Sequence, residues 1–201
     1  MKFVDRIKKE MTEGIVRAIL EDAQYRVIDS GIEKVLRELS CMSAVEYKAL
    51  GYPDAMSHLP DFTVMNRDQS SKQLVEVKYR SNWGKALFEE VREQVRLFGE
   101  IVLVSLNAGA DDPRKINMPS RFLRCCGLKF DGGVYMVQRN IDKAAVWTPV
   151  DEIKDGSGLW WSMLKLHEKF PQLGEESNKD TLFQAVSALA GILESQPKPA
   201  Q

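Results

Sequence analysis

Asp61, Glu76 and Lys78 are the residues whose types and spacing could do chemistry. They stand in the stretch LPDFTVMNRDQSSKQLVEVKYR, residues 59–80, which reads as two β-prone arms around a polar turn. Alternate strand residues share a face, so Leu74, Glu76, Lys78 and Arg80 point one way, and Val75, Val77 and Tyr79 point toward the core. If residues 67–70 form the loop, Asn66 pairs with Ser71, and the same register sets Asp61 opposite Glu76. Directly opposed side chains have Cβ atoms about 5 Å apart, where two carboxylates repel each other. A divalent cation turns that repulsion into binding, because hard ions such as Mg²⁺ are held by one or two carboxylates. Lys78 on the same face could orient a metal-bound water, help it lose a proton, or neutralise a phosphate. An exposed hairpin whose outer face carries ordinary Glu and Lys accounts for the same residues.

The flanking pattern supplies elements to hold this hairpin. Residues 3–24 have helical apolar spacing, and residues 25–28 (YRVI) are a short strand ended by Asp29-Ser30-Gly31. Residues 32–40 are amphipathic and 44–50 weakly helical. The hairpin arms are 62–65 and 73–79. Residues 85–98 form a helix with the stripe Leu87, Val91, Val95 and Phe98, closed by Gly99. The run IVLVSL at 101–106 is a strand buried on both faces. A loop at 107–119 follows, then a short helix at 120–126 and strands at 133–138 and 144–148. Helices are expected at 159–170 and 181–195, the latter an interface or simple core packing, with a frayed tail after it. The fold class is α/β (α+β), a mixed sheet flanked by helices.

The chain has 201 residues, 28 Lys and Arg against 29 Asp and Glu, and a net charge of −1, which excludes a generic polycation. No apolar run reaches the roughly 20 residues of a membrane helix, and the charged start lacks the apolar core of a signal peptide. Cys41, Cys125 and Cys126 fit neither a disulfide framework nor a zinc site, so a cytoplasmic protein with reduced thiols is expected.

The order helix, strand, Pro60-Asp61 at a strand, Glu76-Val77-Lys78 within the next strand, then a helix and a buried strand resembles the PD-(D/E)XK nuclease superfamily. The likeness spans about residues 10–106, its first half being similar to archaeal Holliday-junction resolvases. It implies a restriction-endonuclease-like fold with an αβββαβ core. Residues 1–148 would form the nuclease-like domain, with a helical insertion at 32–52, and 149–201 a C-terminal helical extension packed on it. The implied activity is metal-dependent hydrolysis of DNA phosphodiester bonds, with Asp61, Glu76 and Glu13 binding Mg²⁺ or Mn²⁺ and Lys78 assisting the attacking water. Glu13 sits on the first helix at a length before the Gln24-Tyr25 turn comparable to that of the superfamily's acidic residue; Glu21 is the nearer rival. Gln94 matches a Gln that several relatives carry after the motif, or is a solvated helix residue. A homodimer stays open. The alternative is a catalytically inactive nuclease-like module that binds nucleic acid or a protein partner.

Further candidates come from the residues themselves. Arg80, Asn82, Trp83 and Lys85 follow the second arm and could contact phosphates and stack on a base, or form a capped loop around a half-buried Trp. Arg80 is also an accessory candidate at the catalytic end. His58 and His167 are too far apart in sequence for a His-based site. Trp160-Trp161 reads as an aromatic stripe of the core or of an interface. Arg121, Arg124 and Lys129 read as a solvated basic face. No phosphate-cradling GxxxxGK[ST] loop occurs.

Overall fold

The computed structural model describes residues 3–31, 42, 44–110, 121–174 and 184–185. Helix α1 (Phe3–Asp22) forms as expected but buries Val16, Ile19 and Leu20, leaving Ile7 and Met11 exposed. Gln24 closes it in the left-handed conformation, φ +64°, with the Tyr25 N–H reaching back to the Leu20 carbonyl. Strand β1 (Arg26–Asp29) follows, then the short helices α2 (Ala44–Ala49) and α3 (Asp54–Ser57).

The hairpin pairs β2 (Phe62–Met65) with β3 (Lys72–Arg80) in the predicted register, Phe62 opposite Val75 and Met65 opposite Lys72. A crossover through α4 (Ala86–Glu90) and α5 (Arg92–Phe98) leads to β4 (Ile101–Asn107), which lies parallel to β3. Strands β5 (Leu123–Asp131), β6 (Val134–Ile141) and β7 (Ala144–Pro149) extend a seven-stranded sheet in chain order, antiparallel everywhere except at β3–β4. Helices α6 (Ser157–Ser162) and α7 (Leu166–Lys169) come after it. The architecture is mixed α+β. No helix among the described residues is long and apolar enough to cross a membrane.

Two apolar clusters cover opposite faces of the sheet. Val75, Val77, Val102 and Val104 pack against α1 and the segment around Phe170, whereas Ile101, Leu103 and Leu128 pack against Leu87, Phe88 and Val95 of the crossover.

The structure corrects three expectations. Of the helix expected at 120–126, Leu123 onward is β5 instead, because residues 123–128 pair with β4 and complete its hydrogen bonding. The helix at 85–98 breaks at Val91 (φ −101°, ψ 2°), which lets Leu87 and Phe88 as well as Gln94 and Val95 face the sheet. The helix at 159–170 is split because Leu164 is extended and exchanges two 2.9 Å backbone hydrogen bonds with Cys125. Gly99 behaves as expected, ending α5 at φ +86°. The segment 32–40 and most of 181–195 lie outside the described residues; 184–185 are helical.

Candidate active site

The β2–β3 ladder stops at Phe62–Val75, but β3 continues to Arg80. Past Val75, no strand among the described residues covers that edge of β3, and the side chain of Asp61 takes the strand's place. The Val77 N–H donates to Asp61 Oδ2 at 2.8 Å. The Asp61 backbone is held by the loop after β1: the Ser30 and Gly31 N–H groups donate to its carbonyl, and Ser30 Oγ donates to the Pro60 carbonyl. The continued register sets Asp61 beside Glu76, as the turn length predicts.

Glu76 is 5% exposed, so the exposed-hairpin reading does not describe this strand. Its Oε2 accepts a 2.7 Å hydrogen bond from Gln94 Nε2, and its Oε1 forms an ion pair with Lys78 Nζ. Lys78 therefore shares the Glu76 face, and Gln94 is a buried partner of Glu76 rather than a solvated helix residue. Glu13 is brought in by α1, which lies over β3; it is 5% exposed, with Lys9 Nζ 3.6 Å from its Oε1 one turn earlier.

The carboxylates feel one another. Burial, then the charge of Glu76, then that of Glu13 push the Asp61 carboxyl up to about 8, against the opposing pull of Lys78 and the Val77 N–H. Burial and the neighbouring carboxylates therefore favour the protonated form of Asp61.

Among the described residues, no three His, Cys, Asp or Glu side chains form a group that could hold a metal ion. Asp61 and Glu76 are the number of carboxylates Mg²⁺ ordinarily takes while it keeps its waters, and Glu13 acts on Asp61 through its charge.

The remaining candidates spread out. Arg80 donates to the Tyr79 carbonyl at 2.8 Å and forms an ion pair with Glu90, at the mouth of a cavity of about 400 Å³ that Lys9, Lys78 and Ser81 also line. Asn82 is exposed. Trp83 packs edge-on to Phe88 and Trp160, with ring centroids 5.8 and 5.0 Å away. Lys85 is drawn off: its Nζ donates to the Ile153 carbonyl at 3.0 Å, and its N–H to Asp155 Oδ2 at 3.2 Å. Of the Arg121, Arg124 and Lys129 cluster, Arg124 is buried and donates to the Trp161 and Met163 carbonyls, which a solvated face does not describe. Cys125 and Cys126 are buried free thiols, and burial pushes Cys125 up to about 12, leaving it inert.

Sequence reasoning missed Lys8 and Lys9. Lys9 had a readable signal, four residues before Glu13 on one helix face. Lys8 Nζ lies 5.2 Å from the Tyr79 ring centroid, a pairing no sequence pattern announces. Comparison with known proteins adds nothing to this geometry: no family model, curated protein or solved structure matches the chain.

Proposed function

We propose that this protein is a metal-dependent nuclease of the PD-(D/E)XK type, with a restriction-endonuclease-like core, that hydrolyses DNA phosphodiester bonds. The observation that carries the reading is the meeting of Asp61, Glu76, Lys78 and Gln94 along β3, with the charge of Glu13 acting on Asp61. The element order α–β–β–β–α–β with β3 parallel to β4 supports the fold assignment. Asp61 and Glu76 would hold Mg²⁺ or Mn²⁺, with Glu13 acting directly or through water. The ion would polarise a phosphoryl oxygen and lower the pKa of a bound water. Lys78 orients the attacking water and screens developing charge on the phosphate. Gln94 fixes the rotamer of Glu76. A carboxylate ligates in its ionised form, so with Asp61 raised by burial and its neighbours, occupancy would depend on pH.

A second reading, a catalytically inactive module for nucleic acid or a protein partner, has two observations in its favour. The Lys78 ammonium is already paired with Glu76, and the described residues hold no three-ligand metal group. Assays with Mg²⁺ or Mn²⁺ on single-stranded, duplex and branched DNA decide between them, run beside Lys78→Ala and Asp61→Ala. Cleavage lost in both variants supports the enzyme; cleavage equal in all three proteins, or absent in wild type, sinks it.

A further inference from the structure

A second cavity, of about 720 Å³, opens at the carboxyl ends of β3 and β4 and shares Ser81 with the cavity at Lys78. Its place is the one a sheet with a single parallel pair leaves for ligands, outside the strand ends where the crossover departs. Its size lies within the roughly 300–1,000 Å³ of small-molecule sites.

The walls are aromatic and rigid. Trp83, Trp160 and Trp161 line it, together with the amide of Asn82 and the carboxylate of Asp155. Trp160 is anchored by donating from Nε1 to the Arg121 carbonyl at 2.8 Å, and the Arg124 guanidinium sits 5.0 Å from the Trp161 ring centroid. The rim is pinned on both sides. The Ala108 N–H donates to the Arg80 carbonyl at 2.8 Å, and a Cβ on Gly109 would come within 2.3 Å of the Ser81 carbonyl, so only glycine lets these chains approach. Across the opening, Asp155 accepts from the Lys85 N–H. Trp83 Nε1 is buried with no hydrogen-bond partner, a donor still to be satisfied.

We propose that this cavity receives an unpaired nucleobase of the DNA strand whose phosphate lies at Lys78, stacked on the tryptophans and read by Asn82 and Asp155. The inference rests on the nuclease reading. It makes the substrate DNA with a single-stranded or extrudable nucleotide beside the cleavage point. Sequence-tolerant stacking on a pre-formed aromatic wall adds affinity to the phosphate contacts of a chain whose net charge is −1.

The test uses the full-length protein without divalent cation and a single-stranded oligodeoxynucleotide carrying 2-aminopurine at successive positions. One position should change fluorescence on binding, and an abasic site there should weaken binding about 5- to 150-fold, the scale of one base–aromatic stack. In Trp161→Ala that abasic penalty should vanish; Asn82→Ala, at an exposed loop residue, should shrink it. Binding with no position-specific signal, or a penalty that survives both variants, overturns the base pocket. A mononucleotide that binds as tightly as the oligonucleotide overturns the strand-borne source in favour of a free nucleotide. If such a failure comes with Lys78-dependent cleavage intact, the nuclease reading stands alone; if wild type neither binds nor cleaves DNA, both fall.

Discussion

Strands β3 and β4 lie side by side, parallel and in register, yet they carry opposite chemistry. Leu103, Ser105 and Asn107 of β4 stand next to Glu76, Lys78 and Arg80 of β3. All seven residues of β4 are buried, with strands on both edges and apolar clusters on both faces. β3 has strands on both edges only at Leu74 and Val75, and past Val75 it loses β2 from one edge. A charged group in β4 would find no water and no partner. In β3 the uncovered edge lets Asp61 accept from the Val77 N–H, while Gln94 and Lys78 partner Glu76. The proposed site lies where a buried strand is left unpaired on one side beside a fully paired neighbour.

The largest expected effect separates the two strands outright. Lys78→Ala should lower DNA hydrolysis about 10²- to 10³-fold or more, the scale of losing one positioned transition-state contact, with an almost unchanged thermal melt. Leu103→Ala, on the neighbouring strand, should instead cost about 2–5 kcal/mol in urea unfolding. An active, fully stable Leu103→Ala protein would break the division between scaffold and site. Next, Gln94→Ala should reduce activity about 10- to 100-fold by releasing Glu76, and Gln94→Glu should not restore it, because a second carboxylate repels the first. Weaker still is a pH effect on the metal-free protein. The folded Asp61 carboxyl lies at about 8 against an ordinary 3.8, so between those values the folded state binds more protons than the unfolded one. Stability contributed by this group therefore falls as pH rises through that window, by at most about 1.4 kcal/mol per pH unit, and is flat beyond it. Asp61→Asn should remove the slope in melts from pH 5 to 9; an unchanged slope would place the strain elsewhere. The smallest change is expected from Lys9→Ala. It should weaken DNA binding modestly at all sequences and lower the salt slope by about one.

The sequence carried more of the hairpin than of its surroundings. Turn length and strand alternation are local rules, so the register of β2 on β3 and the shared face of Glu76 and Lys78 could be counted from residues 61–80 alone. Local rules also placed α1, β4 and the Gly99 stop. They failed at 120–126, whose apolar run suits a helix or a strand equally until β4 offers it an edge. They failed again at Val91 and at Leu164, where a helix yields so that side chains or backbone groups can meet the sheet. Gln94 could be named as a candidate, but only packing of α5 on β3 decides that it bonds Glu76.

What the sequence by itself determined is the β2–β3 register and the shared face of Glu76 and Lys78, because both depend on spacings of a few residues along one chain. The tertiary structure alone decided that Glu76 is buried, that burial and neighbouring carboxylates raise the Asp61 carboxyl, that α1 carries Glu13 over β3, and that Trp83 lines one pocket with the distant Trp160 and Trp161. Burial and electrostatic field are sums over everything that surrounds a group. No spacing along the chain encodes them until the sheet has assembled.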